Sequence, residues 1–295
     1  MYPCFKITSQ INFIFIKCIY MNIFIKKGNI QIVREMINNN YDINKPDEQG
    51  MYPIHIACMG SNIELVMHLI SKHAELECIS KEGRRPIHYA SKNINGYNIV
   101  LLLIKYGVNI ECPEEKYHKG YPIHNACKNK NGHEIVNLFI KKGVNLECID
   151  IHKKKPIHYA CIKSVKSTEL LIKHGVDLEC CDAQNLRPIH CVCKNHNNVD
   201  TYLYILKLLI NNKVNLECKT HYGFTPIYFA YKYNIEAFKL LLNNGANINN
   251  EFQHKNKNIN IKSQRMETLL TQACRENNYD AIILLCEYKY NKYKK

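Results

Sequence analysis

The chain has 295 residues, 46% of them hydrophobic, 10% aromatic and none tryptophan, with a formal net charge of +14. This is the composition of a globular protein, and its charge favours acidic partners without choosing among protein, nucleic acid and membrane surface. Fifteen cysteines suggest a disulfide scaffold at first, but most of them recur at two fixed positions of a repeated pattern, which argues for free thiols.

At the N-terminus, Ile11–Ile25 is apolar, yet Asn12, Lys17 and Asn22 interrupt it and no small-residue cleavage site comes after it. A membrane-spanning helix needs roughly 20 largely apolar residues, so this shorter run is expected to be the first, atypical helix of a stack. A start of translation at Met21 would remove most of it. Gly28-Asn29 then supplies a turn and Ile30–Asn38 a second helix, which makes residues 1–27 an N-terminal cap ahead of an array covering residues 28–250.

The array is built from a recurring unit. Pro-Ile-His or a variant opens at Pro53, Pro86, Pro122, Pro156, Pro188 and Pro226, with successive spacings of 33, 36, 34, 32 and 38 residues. A Leu-Glu-Cys motif ends at Cys78, Cys112, Cys148, Cys180 and Cys218, 8, 10, 8, 8 and 8 residues before the next proline. Self-similarity at this period is the signature of stacked repeats, in which each unit packs only on its neighbours, so one elongated domain is expected despite the length. Each proline can begin a helix without losing a hydrogen bond. In Glu134–Lys142 the residues Ile135, Val136, Leu138, Phe139 and Ile140 form the apolar face of a second helix. Gly143 ends it where glycine relieves left-handed strain, as Gly107, Gly175 and Gly245 do elsewhere.

The third unit lengthens the segment before Pro122, and the fifth inserts Asn195–Thr201 between its helices. A polar insertion, residues 251–265, is expected to be a loop. Residues 266–295 form the C-terminal capping unit, with Thr268-Leu269-Leu270 in place of the proline motif and a basic tail expected to fray.

Five cysteines occupy the Leu-Glu-Cys slot and five more, Cys58, Cys127, Cys161, Cys193 and Cys274, stand three residues past the histidine position. Equivalent sites in stacked helical units lie about 8–10 Å apart, too far for a disulfide. They read as reduced, small apolar residues of a cytoplasmic protein.

Pro-Ile-His-x-Ala-Cys, a helix pair ending in Gly-Val-Asn-Leu-Glu-Cys, and a hairpin before the next proline together resemble the ankyrin repeat over roughly residues 28–290. The lysine- and asparagine-rich flavour is similar to the mimivirus-like ankyrin proteins encoded by giant DNA viruses of amoebae, which would place the protein in the host cytoplasm. The resemblance implies an all-α ankyrin-repeat solenoid of antiparallel helix pairs with projecting hairpin-like loops, a partner seated on the loop tips and first helices, and nothing catalytic. One departure stands out. The family's threonine before the proline is replaced by Tyr52, Arg85, Tyr121, Lys155 or Arg187 wherever the histidine is present, and Thr225 returns only where Tyr228 replaces histidine. Loss of that helix cap costs about 0.5–2 kcal/mol per unit, so a stack of modest stability is expected.

His-x-x-Cys at His55/Cys58, His124/Cys127, His158/Cys161 and His190/Cys193 resembles half a zinc site, but the next pair lies a repeat away and four ligands cannot readily converge. Four copies of one pair also argue against a thiol nucleophile. Phosphate loops and other catalytic signatures are missing, so neither metal, cofactor nor enzymatic activity is expected.

Aligned on their prolines, the first helices carry a basic residue just after the cysteine slot: Lys92, Lys128, Lys163 (after Ile162), Lys194, Lys232 and Arg275. The loop residues Lys81, Arg84, His118, Lys119, His152, Lys154 and His221 form a second basic edge, and Tyr222, with Phe224 and Tyr233, offers aromatic anchors. The expected function is a monomeric, non-enzymatic scaffold for an acidic protein, a host protein among the candidates, steered by charge. The alternative is salt-sensitive, sequence-independent nucleic-acid binding through the same surface, for which no dedicated motif is present. Membrane association is not expected.

Overall fold

Proline fixes φ near the helical value and needs no hydrogen-bond partner in the first turn, and six helices of the computed structural model start on one. The structure describes residues 21–195, 199–250, 252–253 and 266–293. The chain divides into two compact units, residues 1–151 and 152–295. Most of Ile11–Ile25, most of the 251–265 insertion and the last two residues of the tail lie outside the described residues.

In the first unit residues 21–26 are helical, followed by α1 (Ile30–Asn38), α2 (Pro53–Met59), α3 (Ile63–Ser71), α4 (Pro86–Lys92), α5 (Tyr97–Lys105), α6 (Pro122–Lys128) and α7 (His133–Lys141). The second unit contains α8 (Pro156–Lys163), α9 (Val165–Lys173), α10 (Pro188–Cys193), α11 (Val199–Asn211), α12 (Pro226–Tyr233), α13 (Ile235–Asn243), β1 (Phe252–Gln253), β2 (Met266–Glu267), α14 (Leu269–Arg275) and α15 (Tyr279–Tyr293). The strands are a two-residue antiparallel pair bracketing the insertion, a small departure from an all-helical reading.

Within each unit first helices pack on first helices and second on second, while each pair also packs internally. The sequence period explains the core. Ile54, Ile87 and Ile123 from the first helices and Leu65, Ile99, Leu103 and Phe139 from the second are buried in the first unit, as are Ile157, Ile189, Ile227, Ile205, Phe238 and Leu241 in the second. Buried apolar surface stabilises by roughly 25 cal/mol per Å², so these faces carry the fold.

Gly143 has φ +74°, as expected of a residue just past a helix end. His73 and Lys213 hold the same left-handed conformation without being glycine. Two expectations at the C-terminal side need correction. The Asn195–Thr201 insertion is not all loop, because α11 begins at Val199 and runs 13 residues where most second helices run 9. The tail does not fray from Tyr288: α15 continues to Tyr293, since Lys289 stands where Gly245 stops α13.

Candidate interaction surface

The histidine of each Pro-Ile-His motif links a helix start to the loop of the following repeat. Nδ1 accepts the backbone N–H of the residue before proline, at 3.1 Å for Tyr52–His55 and Arg85–His88 and 3.0 Å for Arg187–His190. An accepting Nδ1 places the proton on Nε2, which donates to the carbonyls of Cys78, Cys112 and Cys218 at 3.0–3.2 Å, and from His158 to that of Leu186. These rings are fully buried, and burial holds His55, His88 and His190 at about 4 and His158 below its ordinary value. The same burial pushes the Cys78, Cys148 and Cys218 thiols up to about 12 and Cys58, Cys127 and Cys193 higher still. Neutral thiols beside neutral, already bonded imidazoles are packing groups rather than nucleophiles. Cys274, assigned to the same slot, is exposed instead. Among the described residues, no three metal-binding side chains converge on a site.

The side chains that replace the family's threonine make no cap bond, and the charged ones turn to loop carboxylates: Arg85 to Glu77 (3.3 Å) and Glu115 (3.5 Å), Lys155 to Asp177 (3.3 Å), and Arg187 to Glu179. The glutamate of Leu-Glu-Cys has a second structural task that sequence reading missed. Its carboxylate accepts a backbone N–H one repeat ahead, from Glu77 to Asn109 (2.8 Å) and Glu111 to Asn145 (2.7 Å) in the first unit, and from Glu179 to Asn215 and Glu217 to Asn247 (both 2.7 Å) in the second. The signal was present as a Glu and an Asn recurring at the same offset. Hairpin tips are also stitched together through their backbones, Glu115 to Gly83 and Ile151 to His118 in the first unit, Ala183 to His152 and His221 to Gln184 in the second.

The basic residues divide by unit. In the first, Lys81, Lys92, His118 and Lys119 are exposed. Arg84 is not: its Nε meets buried Glu114 at 2.9 Å, its Nη1 meets Glu82 at 2.7 Å, and its guanidinium lies 5.9 Å from the Tyr89 ring centre. Glu114 also accepts from Asn125 Nδ2 at 3.2 Å. Lys128 is half-buried, and burial depresses its ammonium while the Glu114 and Asp150 carboxylates partly restore it. Lys92 borders a groove of about 450 Å³ shared with Lys26, Met51, Met59 and Tyr89.

In the second unit Lys163, Lys194 and Lys232 are all exposed, at the C-terminal ends of α8, α10 and α12, which pack side by side. The Lys232 ammonium lies 5.9 Å from the ring centre of Tyr233, itself exposed. Arg275 on α14 is exposed and donates to Gln272 Oε1 at 2.5 Å. On the loop edge His152, His221 and Tyr222 are exposed, whereas Lys154 is drawn in toward buried Asp182 (3.8 Å) and lies 5.7 Å from the Tyr159 ring centre. Phe224 is not a surface anchor, being stacked on Tyr228 at 4.2 Å.

The family model for ankyrin repeats in three copies matches residues 21–114, 112–182 and 163–252, and the chain belongs to the ankyrin-repeat family, a class of protein-interaction module. An ankyrin repeat protein of Rickettsia bellii (strain RML369-C) is 35% identical over 95 residues, a match spanning 28% of each protein. That relative is bacterial, and the viral kinship suggested by the sequence flavour finds no support in it. Among solved structures the human ASB11 ankyrin repeat domain superposes with a TM-score of 0.65 at 18% identity, covering 75% of this chain and 96% of that one. The structure of the Bd0816 predatory endopeptidase of Bdellovibrio bacteriovorus in complex with immunity protein Bd3460 contains a chain matching at TM-score 0.52 and 22% identity, covering 65% of this chain and 96% of that one. At these identities the likeness is one of fold. No helix among the described residues is long and apolar enough to cross a membrane.

Proposed function

We propose that this chain is a non-enzymatic scaffold that binds an acidic protein, and that the second unit carries the contact through Lys163, Lys194, Lys232 and Arg275, with His152, His221 and Tyr222 at the loop edge. The supporting observation is the exposure of three lysines on three first helices packed side by side. Exposed cations so placed steer an acidic partner. In the first unit, taken by itself, Lys81, Lys92, His118 and Lys119 are exposed, while Arg84 pairs with buried Glu114 and Lys128 is half-buried. Free thiols at Cys181, Cys274 and Cys286 suit a reducing compartment such as the cytoplasm. Titrating the purified chain with labelled poly-L-glutamate and with a short duplex DNA, at low and at high salt, tests the reading. Salt-sensitive binding of the polypeptide in preference to DNA is expected. Tighter binding of the duplex would turn the assignment to nucleic acid.

A further inference from the structure

The exposed side of the second helices in the first unit carries a charge pattern that is its own complement. In α3, α5 and α7 the outward stripe keeps one register: Glu64, Met67 and Ser71, then Asn98, Leu101 and Lys105, then Glu134, Asn137 and Lys141. Residues three and seven apart share a helix face. Because α3 packs on α5 and α5 on α7, the stripes align into three rows. The row at the helix starts holds the acids Glu64 and Glu134, and the row at the helix ends holds Lys105 and Lys141, extended by exposed Lys72 and Lys142. The row between is apolar at Met67 and Leu101, which are 53% and 43% exposed. Charges at the ends complement the dipoles of their own helices, which accounts for the outer rows. It does not account for Met67 and Leu101 standing in water between them, or for the groove of about 710 Å³ that Leu101, Leu102 and Ile104 line beside Lys105 and Lys142. In the second unit the corresponding triplets of α9 and α13 read Lys166, Glu169, Lys173 and Glu236, Lys239, Asn243, so the pattern belongs to the first unit.

We propose that this face pairs with the same face of a second copy of the chain, across a two-fold axis that runs over α3, α5 and α7 at right angles to them. Such an axis lays each helix antiparallel on its own copy, so every acidic end meets a basic one. Glu64 comes to Ser71 and Lys72 of the second copy, Glu134 to Lys141 and Lys142 of the second copy, and Met67 and Leu101 leave water against their counterparts. The match needs no particular distance between helices, because the symmetry reproduces each interval in the partner. Parallel pairing would set Glu64 on Glu64 and Glu134 on Glu134, so the charges select the antiparallel arrangement. A contact of this kind makes the chain a dimer where the sequence led to the expectation of a monomer, and it leaves the lysines of the second unit out of the interface. Three helices of nine residues make a small interface, so a dissociation constant of about 50 μM is expected.

The test is sedimentation equilibrium of the full chain from about 5 to about 500 μM, a range that brackets the expected constant. Two charge variants follow, Glu64→Lys/Glu134→Lys and Lys105→Glu/Lys141→Glu, each of which gives both ends of the face one sign. Each variant alone should dimerise at least about tenfold more weakly than the native chain, the scale of several exposed ion pairs. An equimolar mixture of the two restores opposite charges at both ends and should associate again. Met67→Ser/Leu101→Ser keeps every charge and should weaken the dimer about fivefold, with a circular dichroism melt that matches the native chain. A native chain that stays monomeric at the highest concentration would overturn the dimer. Undiminished association of either charge variant would overturn this face as its site, and a mixture that does not associate would overturn the antiparallel pairing.

Discussion

Both units carry cations on their first helices and loops, and the surroundings set Lys128 and Arg84 of the first unit apart from the exposed lysines of the second. Lys128 in the first unit is half-buried near Glu114 and Asp150, and Arg84 spends its guanidinium on Glu82 and Glu114. Lys163, Lys194 and Lys232 in the second unit stand in solvent. A motif that repeats in sequence therefore need not repeat in function, because the carboxylates supplied by neighbouring loops decide which lysines remain available to a partner. What the units do share is the histidine bridge, and it offers the largest effect.

Acid should weaken both units. The unfolded chain takes up protons at these histidines as pH falls below 6.5, while the folded chain resists until about 4 at His55, His88 and His190. The stability they contribute is therefore whole above pH 6.5 and drains away below it, by about 1.4 kcal/mol per pH unit for each histidine. Denaturant midpoints followed by circular dichroism should fall steeply from pH 6.5 toward 4. A flat profile would mean that the histidine bridges carry no stability. The next effect separates the units. Lys128→Glu should cost about 2 kcal/mol in guanidinium unfolding by adding a carboxylate beside Glu114 and Asp150, whereas Lys194→Glu should stay within about 0.5 kcal/mol. Equal costs would mean that the two lysines share one environment. The smallest effect is at Lys155. Thr225, which holds the equivalent position before Pro226, makes no side-chain cap bond, and Lys155→Thr gives up an ion pair to Asp177, so the melting temperature should stay the same or fall slightly. A clear rise would mean that a threonine there caps the helix.

The repeat boundaries are legible in the sequence because proline, glycine and apolar spacing act locally: Ile30–Asn38 comes directly after the turn at Gly28-Asn29, and each proline opens its helix. The histidine role is legible for the same reason, since a buried imidazole must find partners. Pairing across repeats is not. The positions Arg84 and Lys128 look like Lys81 and Lys194 in one dimension, and only the placement of Glu114 and Asp150 from other loops sets them apart. The end of α15 is hidden for another reason: a lysine-rich tail resembles a frayed end, and only the absence of a stopping glycine tells the two apart.

If the exposed lysine row of the second unit, rather than overall positive charge, captures an acidic partner, moving the same charge change elsewhere must spare binding. The most direct measurement is the anisotropy of labelled poly-L-glutamate with three proteins: the native chain, Lys163→Glu/Lys194→Glu/Lys232→Glu, and the equally charged control Lys166→Glu/Lys173→Glu/Lys207→Glu on exposed sites of α9 and α11. Binding should be lost in the first variant and largely kept in the control. Equal loss in both would show that net charge alone attracts the probe, and would contradict the assignment.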